Sequence, residues 1–279
     1  MNWRIVADSS CDLPESLFKS KAASFSNIPL SFMIGGKEYI DNEDLNVNEM
    51  LDAMSNCKES SSSACPSPDA FAAAYKEADN VIVFTISHNL SGCYNSAVLA
   101  KDMVLEQHPE KNIHVIDTLA TAGSMVLCIQ KANELIEAGK SFEEVTTALD
   151  TYVKNIYLLF TLSSYENLVK AGRVSKFSGY LATQLGIRTL AGASPEGTIQ
   201  ILQKIRGEKK VYKAIVEKMT EKVNLSERTV YIHHCNNLEG ATKIKELLLE
   251  LCPSCEIHIL PTRGLTSYYA ERGGLIISY

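Results

Sequence analysis

The chain has 279 residues, of which 46% are hydrophobic and 22% are charged, which is the composition of a globular protein with a sizeable core. Its net charge of -6 argues against a general nucleic-acid-binding protein, because such a protein needs basic residues to neutralise phosphates. No apolar run approaches the roughly 18 residues of a membrane helix, and the N-terminus lacks the pattern of a secretory signal. We therefore expect a cytoplasmic protein without an integral membrane segment and without a nucleic-acid partner.

The first half of the sequence alternates strand and helix patterns, as in a parallel α/β sheet. Three short apolar runs, each followed by a polar turn, predict buried strands at Trp3 to Ala7, Val81 to Ile86 and Ile113 to Ile116. Helical patterns cover Tyr94 to Glu106, Ala120 to Ala138 and Phe142 to Lys154. Between the first two strands lies a long polar insertion with the serine run Ser60 to Ser63. We interpret it as an irregular functional loop, with a simple linker as the alternative.

The second half has a different pattern, which predicts an α+β arrangement. Strands are expected at Leu158 to Leu162, Ile187 to Ala191, Thr198 to Gln203, Thr229 to His234, Glu256 to Leu260 and Leu275 to Ser278. Helices are expected at Tyr165 to Lys170, Lys209 to Val223 and Glu239 to Leu251. The change of pattern predicts a boundary near residue 155, with an N-terminal α/β domain over 1–155 and a C-terminal α+β domain over 156–279.

The cysteines and histidines predict no metal site. Of eight cysteines only Cys252 and Cys255 form a C-x-x-C pair, and this pair ends a predicted helix, whereas redox motifs usually open one. A zinc site would need a second pair or nearby histidines. His233 and His234 are adjacent on a predicted strand, where alternation points them to opposite faces. We interpret both pairs as structural or solvated.

Two polar clusters follow predicted parallel strands, and ligands of such sheets bind at the carboxyl ends of the strands. The first is Asp8-Ser9-Ser10, and the second runs from Ser87 to Gly92 into a predicted helix. A serine and a glycine at a helix start offer a hydroxyl, free backbone N–H groups and the positive end of the helix dipole. These groups could form an anion site, but from spacing alone Ser91 is better explained as the helix N-cap, which satisfies an unpaired N–H group whether or not a ligand is present.

A serine enzyme is the principal alternative function. Ser91 with His88 would supply a nucleophile and a base for a hydrolase or phosphotransferase acting on a small acyl substrate. The G-x-S-x-G turn of such hydrolases is missing, however, and three residues in a turn is poor spacing for proton transfer. A purely structural or regulatory protein is a third alternative.

Five segments, in the same order along the chain, resemble motifs of one family. They are Asp8 to Pro14 (D-S-S/T-x-D-L), Ser63 to Pro68 (T-S-x-P-S-P), Ile86 to Ala97 (I-S-S-x-L-S-G-T-Y-N-S-A), Val115 to Thr118 (V-x-D-S/T) and Leu168 to Ser175 (L-x-K-G-G-R-I-S). By these motifs the sequence is similar to the DegV family. The resemblance implies two α/β domains with a long-chain fatty acid bound between or within them, no cofactor and no catalytic residue. The family includes the lipid-binding subunits of bacterial fatty acid kinase, which present the carboxylate to a separate ATP-using subunit.

Carried over residue by residue, the resemblance implies a binding site for the fatty-acid carboxylate. The residues expected to hold the carboxylate are Ser63, Ser91 and Gly92, and the supporting shell comprises Asp8, Ser10, His88 and Asn95. Arg173 and Arg206 are expected on the face that meets a kinase subunit, the alternative being a helix-end cation and a solvated basic run.

The sequence departs from the family pattern in several places, and one of them is Ser63, which stands where the family usually has threonine. His88 stands where the family has a second serine, and Cys93 where it has threonine. The closing H-x-G-P-G-A motif of kinase-linked members is absent, and the chain reads Gly264 to Gly274 there instead. The lipid-binding loops are thus retained, whereas the segment associated with the kinase differs.

Overall fold

A computed structural model describes residues 2–57, 61–174 and 187–279. The strands are β1 (Trp3–Asp8), β2 (Ala23–Ile28), β3 (Ser31–Ile34), β4 (Lys37–Ile40), β5 (Ser62–Ala64), β6 (Asn80–Thr85), β7 (Asn112–Asp117), β8 (Leu158–Leu162), β9 (Ile187–Ala193), β10 (Ile199–Arg206), β11 (Thr229–His234), β12 (Glu256–Pro261) and β13 (Leu275–Ser278). The helices are α1 (Val47–Asn56), α2 (Pro68–Tyr75), α3 (Cys93–Gln107), α4 (Gly123–Glu137), α5 (Phe142–Tyr152), α6 (Glu166–Lys170), α7 (Glu208–Thr220), α8 (Leu238–Leu251) and α9 (Gly264–Ala270).

The first sheet has the order β2-β1-β6-β7, and all its strands are parallel. Its central strands are apolar on both faces because helices cover both sides. Ile82 and Phe84 pack with α4 residues on one side, while Val81 and Val83 pack with α2 and α3 residues on the other. This confirms the α/β fold class expected for the first half, and each predicted strand of this sheet is found within one residue.

The second sheet has the order β10-β9-β8-β13-β11-β12 and is mixed, with only β11 and β12 pairing in parallel. One face packs on α7 and α8 through side chains such as Leu159, Ile232 and Ile277. On the other face, Phe160 and Ile276 belong to a cluster shared with the first half of the chain. The predicted strands β8, β11 and β13 are confirmed to the residue.

The interpretation of the polar insertion as irregular chain was wrong. It contains α1, α2 and a small antiparallel sheet with the order β4-β3-β5. On β3, Phe32 is 1% exposed and Met33 is 44% exposed, although both are apolar. On β4, Tyr39 is buried while Ile40 is exposed. Because apolar side chains lie on both faces, the alternation that identifies a half-buried strand is lost in the sequence.

The two large sheets come from different parts of the chain. The strands of the parallel sheet end by residue 117, and those of the mixed sheet begin at residue 158. The predicted boundary near residue 155 stays a prediction, since the small sheet complicates it. Phe32 and Ile34 of that sheet, from the first half, pack in the same cluster as Phe160 and Leu162 from the second.

The short helix α9 is held at its N-terminus by a distant carboxyl group. Asp41 is 2% exposed, and its Oδ1 and Oδ2 accept hydrogen bonds of 2.9 Å from the N–H groups of Gly264 and Leu265. Its Oδ2 also accepts a 2.8 Å bond from Ser9 Oγ. A side chain at residue 264 would lie 2.4 Å from this carboxyl, so glycine is required there. The small sheet, the end of β1 and α9 are therefore joined at one point.

Removal of the Asp41 carboxyl should destabilise the fold. We expect Asp41→Ala to lower the free energy of unfolding in urea by about 2–4 kcal/mol, because two buried N–H groups and a hydroxyl lose their acceptor. Asp44→Ala, a change to an exposed residue of the same loop, is the matched control and should cost less than about 0.5 kcal/mol. Equal unfolding curves for the two variants would contradict this account of α9.

Candidate functional site

A cavity of about 350 Å³ lies where the three sheets meet, a volume within the range of small-molecule sites. Most of its wall is apolar and comes from the mixed sheet and the helices beside it. The large apolar side chains include Leu158, Phe160, Leu162, Leu168, Ile199 and Ile276. Such a lining accepts a hydrocarbon chain and offers it few hydrogen-bonding partners.

Small residues form part of the cavity wall at Gly192, Ala193 and Ala270. A Cβ at Gly192 on β9 would lie 2.8 Å from the carbonyl oxygen of Leu158 and 3.3 Å from a methyl group of Leu159. Leu159 packs on the α7 and α8 side of the sheet, so glycine at this position allows β8 and β9 to approach closely there.

Hydroxyl groups from separate loops reach the same cavity. Strand β5 supplies Ser63, and the loop before α3 supplies Ser91 and Gly92. The two loops lie side by side, because a Cβ on Gly92 would be only 3.2 Å from Cys65 Sγ. In the structure, the lack of a side chain at Gly92 leaves room for Cys65. The three residues expected to hold a carboxylate are thus brought together at one polar part of the cavity wall.

The interpretation of Ser91 as the N-cap of α3 was wrong. The N-cap is Gly92, and it makes no side-chain capping bond. The Ser91 hydroxyl instead lies 3.1 Å from Cys93 Sγ and accepts a long, 3.4 Å hydrogen bond from the Cys93 N–H group. Since this backbone bond is long, the hydroxyl keeps capacity for a ligand that enters the cavity.

Asp8 and Ser10 support the Ser91 loop from behind. Asp8 is completely buried at the end of β1, and its Oδ2 accepts a 2.8 Å bond from the N–H group of Ile86. Its Oδ1 accepts hydrogen bonds from the N–H and hydroxyl groups of Ser10. Neither side chain contributes to the cavity wall. Their place fits the expected supporting shell, since they fix the start of the loop that carries Ser91.

His88 and Asn95, like Asp8 and Ser10, lie outside the cavity wall, and the supporting role expected for them stays a prediction. The His88 ring pairs with Asp117, and Asn95 is exposed on α3. The inward-facing neighbour is Ser96, whose hydroxyl donates a 2.6 Å bond to the Pro66 carbonyl and so holds α3 to the chain after β5. The Ser91 hydroxyl contacts Cys93 rather than His88, so these described residues do not form the nucleophile–base contact of a serine enzyme.

The two arginines occupy different surroundings. Arg173 contributes to the cavity wall, and its Nε donates a 2.8 Å bond to the carbonyl oxygen of Leu90 in the Ser91 loop. Arg206 is exposed at the end of β10. Ser175, the last residue of the matched motif, and Ser60 of the serine run lie outside the described residues. Arg173 therefore stands at the rim, where it also ties α6 to the neighbouring loop.

A turn from the second half closes the cavity over the Ser91 loop. Ser87 Oγ donates a 2.8 Å bond to the Gly197 carbonyl, and the Asn89 side chain donates a 2.7 Å bond to the Glu196 carbonyl. Gly197 has a φ of +76°, and a Cβ there would lie 2.4 Å from Ser87 Oγ. No signal in the sequence indicated this contact, because the residues of a turn do not reveal what the turn packs against.

Tyr269 is a further residue of the polar wall that the sequence did not indicate. Its hydroxyl lies 3.0 Å from Ser63 Oγ. A second pocket of about 180 Å³ adjoins the cavity and shares Ser63, Arg173 and Tyr269 with it, adding Ser61 and Lys170. Adjacent tyrosines after a predicted strand were the available signal, but nothing local shows that they face a serine more than 200 residues away.

The adjacent histidines lie on a strand and the cysteine pair follows a helix, as the sequence predicted. His233 is fully buried on β11, whereas His234 is partly exposed and its Nδ1 accepts a bond from the Asn237 N–H group. Cys252 follows the last residue of α8. Over residues 2–57, 61–174 and 187–279 there is no group of three or more histidine, cysteine, aspartate or glutamate side chains arranged to hold a metal ion.

A family model described as "Uncharacterised protein, DegV family" matches residues 2–279. The chain belongs to the DegV family. This confirms the resemblance read from the five sequence motifs. In the part of this DegV chain that the structure describes, no helix combines the length and apolar character that a membrane span requires.

Relatives of this DegV chain match it over their whole length. A DegV domain-containing protein of Streptococcus gordonii is 41% identical over 100% of this chain and 99% of its own. The Streptococcus pneumoniae Fatty Acid Kinase (Fak) B3 protein, solved loaded with linoleic acid, is 39% identical with a TM-score of 0.96, covering 100% of this chain and 99% of that one. A DegV family protein of Eubacterium eligens, loaded with heptadecanoic acid, is 34% identical with a TM-score of 0.93, covering 99% and 98%. The fold expected for the family is confirmed.

The carboxyl groups around the end of β1 should give the DegV chain a pH-dependent stability. Burial raises the pKa of Asp8 to about 6 and that of Asp12 to about 8. A raised folded-state pKa contributes stability that is complete below the ordinary value near 4 and is lost as pH rises through the folded value. We expect the free energy of unfolding to fall by about 1 kcal/mol per pH unit between pH 6 and 8. In this range folded Asp12 still holds a proton that the unfolded chain has already lost.

Asp12→Asn tests this assignment, because asparagine does not ionise. Urea unfolding at pH 6, 7 and 8 should show a much smaller slope in this variant than in the wild type. Asp44→Asn, at an exposed carboxylate, should keep the wild-type slope. An unchanged slope in Asp12→Asn would show that another group titrates in this window.

Proposed function

We propose that this protein binds one long-chain fatty acid, with the acyl tail in the cavity and the carboxylate at Ser63 and Ser91. The observation that carries the proposal is a cavity whose largely apolar wall also includes hydroxyls from two neighbouring loops. The shape and chemistry match an amphiphile with one polar end. The relatives solved with linoleic and heptadecanoic acid support the same class of ligand.

The tail supplies the affinity in this proposal. At about 0.8 kcal/mol per buried methylene, a tail of about fourteen methylenes offers about 11 kcal/mol before the costs of association. The head group then needs only to be oriented. Neutral hydroxyls suit this role, because they hold a carboxylate reversibly and leave its oxygen nucleophilic, whereas a buried arginine would neutralise it.

The first experiment tests lipid content and the two hydroxyls together. Protein purified without detergent should release a fatty acid on extraction with organic solvent, detected by mass spectrometry. Ser63→Ala with Ser91→Ala should weaken binding of added oleic acid by about tenfold or more, because each hydroxyl loses a hydrogen bond to a charged group. Both effects are measured on the folded protein, with the fold checked by circular dichroism.

Ser62→Ala is the matched control, since Ser62 is exposed on the same strand and contributes no atom to the cavity wall. It should bind oleic acid like the wild type. Unchanged binding in the double variant would refute the assigned hydroxyls. Absence of any lipid and of oleic acid binding would refute the proposed function itself.

We further propose that the protein is not itself a catalyst and presents the bound carboxylate to a separate ATP-dependent fatty acid kinase. The similarity to the Fatty Acid Kinase (Fak) B3 protein supports this role, as does the absence of a contact between His88 and Ser91. Arg173 at the cavity rim and exposed Arg206 are the proposed contacts with the kinase. A cytoplasmic location follows from the proposal, because the kinase reaction uses ATP.

The second experiment supplies the loaded protein with ATP, alone and with the catalytic subunit of a bacterial fatty acid kinase. Acyl phosphate should form only when both proteins are present. Arg206→Glu should reduce the rate at least fivefold without changing lipid content, because it reverses a charge on the proposed contact face. Lys222→Glu, at an exposed position after α7, should leave the rate unchanged. Acyl phosphate formed by the isolated chain would show that it is an enzyme.

A further inference from the structure

Two adjacent tyrosines on α9 each face a serine of the segment that forms the cavity mouth. Tyr268 OH lies 2.7 Å from Ser61 Oγ, and Tyr269 OH lies 3.0 Å from Ser63 Oγ. The two rings meet edge to face, with centroids 4.9 Å apart. The pair fastens the start of β5 to a helix that lies more than 200 residues further along the chain.

The two tyrosines differ in what else they contact. Tyr269 contributes to the wall of the large cavity, as Ser63 does. Of the two spaces, Tyr268 lines only the adjoining polar pocket. Its ring stacks on Phe32 of the small sheet, with the ring centroids 5.2 Å apart. Tyr268 therefore has a packing role, whereas the Tyr269 hydroxyl reaches the space assigned to the ligand head group.

From this geometry we propose that Tyr269 is a positioning residue for the fatty-acid carboxylate, acting as its third hydroxyl donor beside Ser63 and Ser91. The inference rests on the proposed function. Each hydroxyl carries one hydrogen that can rotate, so when a carboxylate enters, Ser63 and Tyr269 can exchange their mutual hydrogen bond for one bond each to the ligand. An ionised carboxylate offers about four acceptor sites, enough for all three hydroxyls.

The place of α9 supports this role. The helix is fixed by Asp41 at its first residues and by Asn167, whose side chain donates a 3.1 Å bond to the Tyr268 carbonyl. The Tyr269 ring is consequently held by the backbone on which it stands. A donor held in place before the ligand arrives loses little freedom on binding, which favours a specific head group over a larger or weaker acceptor.

The consequence is selectivity for the free acid. A hydrogen bond from a hydroxyl to an ionised oxygen is stronger than one to a neutral ester oxygen. Removal of the Tyr269 hydroxyl should therefore weaken binding of the acid and leave binding of the corresponding methyl ester nearly unchanged. A residue that served only to fasten β5 to α9 would affect both ligands equally.

The experiment compares the wild type, Tyr269→Phe and Tyr268→Phe. Each variant removes one oxygen and one hydroxyl–serine contact, so Tyr268→Phe is a closely matched control. Competition against a fluorescent fatty acid at pH 7 measures the affinities for oleic acid and methyl oleate. We expect the preference for the acid over the ester to fall about tenfold in Tyr269→Phe and to stay at the wild-type value in Tyr268→Phe.

A spectroscopic measurement separates head-group contact from packing. The carboxyl carbon of bound oleic acid labelled at that position should change its ¹³C chemical shift in Tyr269→Phe and not in Tyr268→Phe. If the wild type binds oleic acid but the acid preference and the shift are the same in Tyr269→Phe, the inference about Tyr269 is overturned and the proposed function stands. If the wild type does not bind oleic acid, both are overturned.

Discussion

The arrangement of the site depends on the contact between the Asp41 carboxyl and the first N–H groups of α9. This contact joins a loop after the small sheet to a helix near the C-terminus, two segments separated by more than 220 residues. A helix N-terminus has unpaired N–H groups and a partial positive charge, and a carboxyl group satisfies both. Since α9 carries Tyr269 and forms part of the cavity wall, the position of the polar wall follows from this buried contact.

The cavity interrupts what would otherwise be continuous core. Side chains of the small sheet, the mixed sheet and α9 belong to one apolar cluster, with Phe32, Phe160 and Leu265 among its members. Protein interiors are normally packed with few voids larger than a water molecule. A void of about 350 Å³ lined by apolar groups is therefore expected to take an apolar occupant. The elements around it are held by hydrogen bonds at the edges, as in the contact of Ser87 with the Gly197 carbonyl.

Three buried aspartates near the end of β1 lie outside the cavity wall. The carboxyl groups of Asp8, Asp12 and Asp41 are all buried near the end of β1, where burial raises the pKa of each. The hydrogen bonds of these carboxyl groups organise the Ser91 loop and α9. The carboxyl groups themselves do not line the cavity. The groups that do line its polar part are mainly hydroxyls, with Arg173 at the rim. An incoming carboxylate thus meets uncharged hydroxyl donors in the wall and the charged Arg173 side chain at the rim.

The sequence alone was sufficient for the features that depend on neighbouring residues. Buried strands such as β8 and β11 are contiguous apolar runs between polar turns, and the five motifs identified the DegV family. The sequence also indicated that Ser63 and Ser91 belong together, but only through the family resemblance. The small sheet around Phe32 and Met33 was missed because apolar side chains lie on both of its faces. The supporting roles expected for His88 and Asn95 stay predictions, because the direction in which neighbours on a turn or helix point depends on the local backbone.

Only the tertiary structure decided the composition of the polar wall. Tyr269 meets Ser63, and Asp41 meets Gly264, across separations of more than 200 residues. Such contacts depend on how the sheets pack against each other, and no local pattern of residues encodes that packing. The sequence by itself therefore determined the class of fold and the loops that carry the serines. The cavity, and the side chains that complete its polar end, came from packing between distant segments.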